Sequence, residues 1–228
     1  MTTSTGFIRF RGSNEKIPVG KIICLGRNYE THAREMGSET PERPILFLKP
    51  SSSLVHDGES VIFPRFSREL HHEVEMVVAI GRKGKEIPKS AAPNHVSGYG
   101  VGLDMTLRDL QSEAKKKGLP WSVAKGFDTS APVSEFVGKG EVTNPGNLAI
   151  RLSVNGELRQ SSNTANMIFG VDEIVSFVSS IFTLEPGDLI FTGTSEGVGS
   201  VSAGDVLEAS LGSVATLRVT IGRQSAER

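Results

Sequence analysis

The sequence predicts a predominantly β domain of the α+β class, and three observations predict it. Its 25 glycines and 11 prolines, against 6% aromatic residues, demand many turns and therefore many short strands. The apolar runs are short and close on glycine or proline, as buried strands do. A clear amphipathic helical stripe occurs once, in Val171, Ile174, Val175, Val178, Ile181 and Phe182.

In chain order, residues 1–20 read as an N-terminal arm or edge strand. Residues 21–228 read as a single domain without repeat, low-complexity tract or linker. The apolar run 22–25, closed by Gly26, is a buried strand. Residues 28–36 carry good helix formers and stop at Gly37. Runs 45–48, stopped by Pro50, and 61–63, stopped by Pro64, are further strands, with the polar serines 51–53 between them. Residues 73–80 alternate and then turn wholly apolar before Gly81, and 99–103 is a glycine-interleaved strand running into Asp104. Residues 107–117 are helical in composition and end at Gly118. Within 148–159, Asn155-Gly156 between alternating runs marks a hairpin. Strand 189–191 opens into a glycine-rich turn at 193–199, and 206–221 alternates as a closing pair of strands.

A chain of 228 residues can bury a substantial core. With 25 Lys and Arg against 26 Asp and Glu, it offers no extended basic surface for nucleic acid. One cysteine makes no intramolecular disulfide. The longest apolar runs, such as 76–80, fall far short of the roughly 20 residues of a membrane span. The first residues lack the apolar stretch of a signal peptide. The expectation is a soluble cytoplasmic protein with neither nucleic-acid nor membrane partner.

Three groups of residues suggest chemistry. In Glu73-Val74-Glu75 the two acids share one face of a strand, and Asp104 ends another strand. Bringing like charges together costs free energy unless a cation lies between them. Three hard oxygen ligands without a neighbouring cysteine suit Mg²⁺ or Mn²⁺ better than zinc. A solvated strand face has the same Glu-x-Glu pattern. His71 and His72, adjacent on a strand, face opposite ways. His32 and Glu35, three apart on a helix, can touch; they form either a base of fixed tautomer or an ordinary solvated helix face. Arg27, Lys49, Arg108 and Lys125 are cationic candidates, Lys49 and Lys125 because they adjoin short apolar or glycine-containing segments. The turn at 193–199 lacks the Gly-Lys-Ser/Thr ending of a phosphate loop, although its backbone N–H groups could approach an anionic ligand.

Taken in order, several motifs resemble the fumarylacetoacetate hydrolase family, in particular its short members that act on acylpyruvates. They are Gly26-Arg27-Asn28-Tyr29, His32-Ala33-Arg34-Glu35-Met36, Phe47-Leu48-Lys49-Pro50-Ser51, His72-Glu73-Val74-Glu75, Gly102-Leu103-Asp104-Met105-Thr106 with Arg108-Asp109-Leu110-Gln111, Lys125-Gly126-Phe127-Asp128 and Thr192-Gly193-Thr194. The resemblance runs over residues 21–221 and is to members without the extra N-terminal domain of the animal fumarylacetoacetate hydrolase. It implies a mixed β-roll or β-sandwich-like fold with peripheral helices, paired as a homodimer. It also implies that Glu73, Glu75 and Asp104 hold Mg²⁺, with Mn²⁺ as an alternative. His32 and Glu35 would be the general-base pair on a lid-like segment, and Lys125 would face the reacting carbonyl. Arg27, Lys49, Arg108, Gln111 and Thr194 would line the substrate pocket. Ser195 stands where many relatives have proline.

The reaction this implies is hydrolysis of the C3–C4 bond of 2,4-dioxo acids such as fumarylpyruvate or acetylpyruvate, giving pyruvate and a carboxylic acid. Decarboxylation and keto–enol tautomerisation of oxaloacetate pass through the same enolate and are the alternatives, followed by a double-bond isomerase or decarboxylase of aromatic degradation. A catalytically silent binding module would not need this joint set of acids, base pair and lysine.

Overall fold

The computed structural model describes residues 6–35 and 40–224. The expected helix end at Met36 and Gly37 lies outside the described residues. At the centre is an eight-stranded mixed sheet. Its order is Ile45–Lys49, Ile22–Gly26, Leu189–Thr194, Val74–Ile80, Val96–Leu103, Ala131–Val133 and Leu54–His56, with Val137–Gly138 also paired to Val96–Leu103. A second sheet of five strands runs Glu157–Asn163, Ala149–Val154, Val206–Leu211, Ala215–Arg223, Ser60–Phe63.

The two-residue period of a strand organises the interior. Val74–Ile80 is buried on both faces, which explains its unbroken apolar character. Val74, Met76, Val78 and Ile80 enter the main core, shared with Leu152, Leu207, Leu217 and Val219 of the five-stranded sheet. Val77 and Ala79 point the other way, into a smaller core with Ile22, Cys24 and Phe191. That core is closed by Ile8 and Val19 of the N-terminal arm, whose strands Phe7–Ile8 and Ile17–Pro18 pair antiparallel. The five-stranded sheet buries alternate residues and wets the others, as Ala215–Arg223 illustrates.

Local signals act where expected. Asn155 and Gly156 both have positive φ, 52° and 81°, the conformation a two-residue hairpin turn of matching twist requires. Helix Val171–Ile181 buries Ile174, Val175 and Val178 in the main core; Phe182, counted in the stripe, is its first extended residue. Several elements have no sequence counterpart. Ser51–Ser53 is a 3₁₀ turn, and Leu70–His72 is a short strand held between Thr106–Leu107 and Gly199–Val201. Strands this short show no periodicity; their neighbours' unpaired backbone groups define them.

Candidate active site

The carboxylates converge because the strands are in register. Val74 lies opposite Leu103, Glu75 opposite Gly102, and the N–H of Asp104 donates to the carbonyl of Glu73 at 2.8 Å. Glu73 and Glu75, two apart, therefore share one face with Asp104 beside them. Oxygens of all three lie within 4.8 Å of one another, and all three residues are buried.

Cations surround this cluster. Lys125, the last residue of the short helix Ser122–Lys125, donates from Nζ to Glu73 Oε2 at 2.7 Å and to Asp104 Oδ2 at 2.5 Å. Arg108, opening helix Arg108–Lys117, donates through Nη2 to Glu73 Oε1 and through Nη1 to Gln111 Oε1. Lys49, expected against the substrate, instead lies behind Asp104. Its ammonium donates to the carbonyls of Met105, Ser130 and Lys125, and those three bonds use all its protons. Asp104 Oδ1 is 2.7 Å from Lys49 Nζ, yet no hydrogen bond is directed at it. The ion pair is real as charge proximity, and the lone pairs of that oxygen remain available.

The glycine-rich turn also serves the cluster. Gly193 N–H donates to Glu75 Oε2 at 2.6 Å, so the anion its backbone meets is the protein's own carboxylate. Gly193 has φ of 93°, and a Cβ there would come within 2.6 Å of the Asn28 side chain. Asn28 pins the chain in turn, donating to the carbonyls of Phe169 and Thr192 at 3.1 and 2.7 Å.

The three acids differ in electrostatics. Burial pushes the Glu73 carboxyl up, but Lys125 and then Arg108 outweigh it and hold it well below the usual carboxylate range. Burial, then Asp104 and Glu73, push Glu75 well above that range. Burial would lower Lys125, but Asp104 and Glu73 raise it, so it stays an ammonium. A hard oxygen set with one unbonded lone-pair site and one acid whose ionised form needs more positive charge fits a divalent cation.

Across the cleft, helix Glu30–Glu35 carries His32, which is 5% exposed, with Nδ1 3.3 Å from Glu35 Oε2. Glu35 Oε1 accepts from Gly197 N–H at 3.2 Å, and the Thr31 hydroxyl donates to Glu196, so the helix is latched to the glycine-rich turn. A proton on Nδ1 toward Glu35 leaves Nε2 as the acceptor, a tautomer inferred from that contact. Arg27, His32, Glu73, Glu75, Arg108, Gln111, Lys125 and Thr194 line one cleft of about 30 Å³. That is room for a water or two. A roomier hollow of about 430 Å³, bordered by Arg65, Arg68 and Arg223, does not reach these acids.

Residues 21–222 match the family model described as Fumarylacetoacetate (FAA) hydrolase C-terminal. The chain belongs to the fumarylacetoacetate hydrolase family. It is 50% identical over 202 residues to "Oxaloacetate tautomerase FAHD1, mitochondrial" of Rattus norvegicus, covering 89% of this chain and 91% of the relative. The human protein of the same name is 50% identical over 190 residues, covering 83% and 86%. The crystal structure of fumarylpyruvate hydrolase from Pseudomonas aeruginosa, in complex with Mn²⁺ and pyruvate, superposes with a TM-score of 0.94 at 40% identity, covering 98% of each chain. The mostly β fold is thus the one of this enzyme family, and a divalent metal accompanies it in that relative.

Three neighbours of the family's motifs had no place in the sequence reading. Gln160 is buried; it accepts from Val74 N–H at 3.0 Å and donates to Thr194 Oγ1 and Ser195 O at 2.9 and 3.1 Å. Past a hairpin, in a polar run, nothing marks it. Lys115 and Trp121 also line the cleft. The single tryptophan was the only signal available for the latter.

Proposed function

We propose that this protein is a divalent-cation-dependent enzyme of small 2-oxo acids that hydrolyses the C3–C4 bond of acylpyruvates. The observation that carries the reading is the contacting His32–Glu35 pair, set in one cleft against a buried carboxylate triad. Glu73, Glu75 and Asp104 would hold Mg²⁺ or Mn²⁺. When bound, the cation would act as a Lewis acid that stabilises negative charge developing on the substrate's 2-oxo acid end.

The protein's own groups do the rest. Glu35 fixes the His32 ring, and His32 takes a proton from water as the hydroxide adds to C4. The C3–C4 bond breaks with its electron pair passing to pyruvate enolate, which is protonated at C3, and the acyl half leaves as the carboxylic acid. Lys125 offsets the oxyanion at C4, a placement commonly worth about 3 kcal/mol. Arg27, Arg108, Gln111 and Thr194 hold the substrate; Lys49 holds Asp104 in place from behind.

A second reading, oxaloacetate tautomerisation, is favoured by the 50% identity to the rat tautomerase. The same base would then exchange a proton at C3 without recruiting water. The proposal also includes a homodimer and a cytoplasmic location, although the name of the rat relative carries "mitochondrial". Metal-stripped protein assayed with acetylpyruvate, fumarylpyruvate and oxaloacetate, before and after adding Mg²⁺ or Mn²⁺, tests both readings. Acetate and pyruvate released from acetylpyruvate support hydrolysis. Faster loss of enol-oxaloacetate absorbance without pyruvate, and no acylpyruvate cleavage, selects the tautomerase. Turnover of none of the three overturns both.

A further inference from the structure

Two parallel strands at one edge of the five-stranded sheet leave it side by side. Ser60–Phe63 pairs in parallel with Ala215–Arg223, and Phe63 lies opposite Arg223, so the residues that follow each strand become neighbours. Arg65 is held there by Gln224: its N–H donates to Gln224 Oε1 at 3.4 Å and its Nε to the Gln224 carbonyl at 3.3 Å. Its two terminal guanidinium nitrogens keep their protons for another acceptor. Arg65, Arg68 and Arg223 border the hollow of about 430 Å³ together with Phe63, Pro64 and Ser67, and no acidic side chain lines it. Among the described residues, the arginine ion pairs are those of Arg34, Arg108, Arg159 and Arg218, and none of these three. Three cations around one hollow, in a chain whose net charge is -1, repel one another, and an anion among them relieves that repulsion. The hollow is also tied to the helix of the active site. The Ser67 hydroxyl donates to Asp109 Oδ1 at 2.6 Å, Arg68 N–H to Asp109 Oδ2 at 2.9 Å, and Arg108 N–H to the Glu69 carbonyl at 2.8 Å. Arg108 and Asp109 open helix Arg108–Lys117, which brings Arg108 and Gln111 into the cleft.

We propose that this hollow is a second binding site, for a small molecule that carries a phosphate group, and that its occupancy is transmitted through Ser67 and Asp109 to helix Arg108–Lys117. A phosphate suits three guanidiniums better than a carboxylate does. Its oxygens point to several sides, so forks arriving from two strand ends and a loop can each be met, whereas a carboxylate offers two oxygens in one plane. The volume is that of a small-ligand site, and Phe63 and Pro64 give the organic part an apolar wall. The site lies outside the cleft and does not depend on which reaction the cleft performs. An anion held by Arg68 fixes the loop next to Ser67, and Ser67 passes that constraint to the start of the helix through Asp109.

Calorimetric titration of the full Mg²⁺-loaded chain with inorganic phosphate, glycerol 3-phosphate and succinate tests the site. Both phosphates bind, and succinate binds about tenfold more weakly or not at all. Tighter binding of glycerol 3-phosphate than of inorganic phosphate identifies an ester as the ligand, and equal binding identifies free phosphate. Arg65→Gln and Arg223→Gln each weaken phosphate binding about tenfold, the size of a lost charge-assisted hydrogen bond, and leave the urea midpoint unchanged because both side chains are exposed. Arg151→Gln, which removes an exposed arginine elsewhere on the same sheet, leaves phosphate binding as it was. Succinate binding as tightly as phosphate, an equal loss in Arg151→Gln, or phosphate binding that survives both hollow substitutions overturns the site. Trp121, the single tryptophan, stands just beyond the helix with the Lys115 ammonium 5.3 Å above its ring, and it reads the transmission. Its fluorescence changes with the midpoint seen by calorimetry, and Ser67→Ala at saturating phosphate abolishes the change. Fluorescence that saturating phosphate leaves unaltered, or that changes equally in Ser67→Ala, overturns the transmission.

Discussion

Two residues three apart divide the labour at the site. Glu35 touches His32 and the Gly197 N–H but none of the three carboxylates, so its charge acts only through the imidazole. Glu35→Gln keeps the shape and removes that charge. It lowers kcat by roughly 10²–10⁴-fold, the range for a general-base step, with Mn²⁺ affinity hardly changed. Loss of Mn²⁺ binding in that variant, with hydrolysis intact, would reverse the assignment. Lys49 shows the other kind of polar residue, one that holds the site from behind. Lys49→Met leaves three buried backbone carbonyls without their donor and Asp104 with Lys125 as its one remaining cation. Removing one partner of such a buried pair costs about 3–5 kcal/mol, to be read as a lowered urea midpoint. A midpoint within experimental scatter of the wild type would mean that Lys49 is not needed for Asp104.

At the scale of elements, the glycine-rich segment 193–199, which begins at the end of strand Leu189–Thr194, joins the two halves of the chemistry. Its Gly193 N–H meets Glu75 and its Gly197 N–H meets Glu35, while both glycines have positive φ, 93° and 87°. Gly193→Ala would force a Cβ against Asn28 in a left-handed conformation. It destabilises the fold by about 1–3 kcal/mol and weakens Mn²⁺ binding as Glu75 loses its donor; unchanged stability and Mn²⁺ affinity together would refute this role. Much of this was legible in the sequence. Glu73-x-Glu75 with an apolar continuation gave the buried central strand, and Gly-rich 193–199 gave the turn. What it was for could not be read, because the anion it meets is supplied by a strand more than a hundred residues earlier. Gln160 and Lys115 were hidden for a related reason: one lies past a hairpin and the other on a lysine-rich helix end, where sequence shows solvated polarity and only tertiary contact shows otherwise. Short strands such as Leu70–His72 were missed because pairing, not pattern, makes them.

On the scale of the whole molecule, the eight-stranded sheet ends on Ile45–Lys49, whose outer edge is free of further strands among the described residues. Leu48, Leu119 and Val123 are 46%, 53% and 60% exposed, and Leu48 and Leu119 share a hollow of about 400 Å³ beside this edge. An open edge with apolar side chains beside it invites pairing about a two-fold axis. Sedimentation at micromolar concentration is expected to give twice the 24.4 kDa chain mass; the single-chain value would contradict the dimer.

Glu73, Glu75 and Asp104, brought together where two neighbouring strands end, would hold the divalent cation on which every proposed reaction depends. Electron paramagnetic resonance of free Mn²⁺, titrated into metal-stripped wild type and Glu75→Gln, tests it most directly. The account predicts one site per chain in the wild type, at least tenfold weaker in Glu75→Gln, with pyruvate perturbing the spectrum of bound Mn²⁺ only in the wild type. Equal Mn²⁺ binding by the two proteins, or none by the wild type, would contradict it.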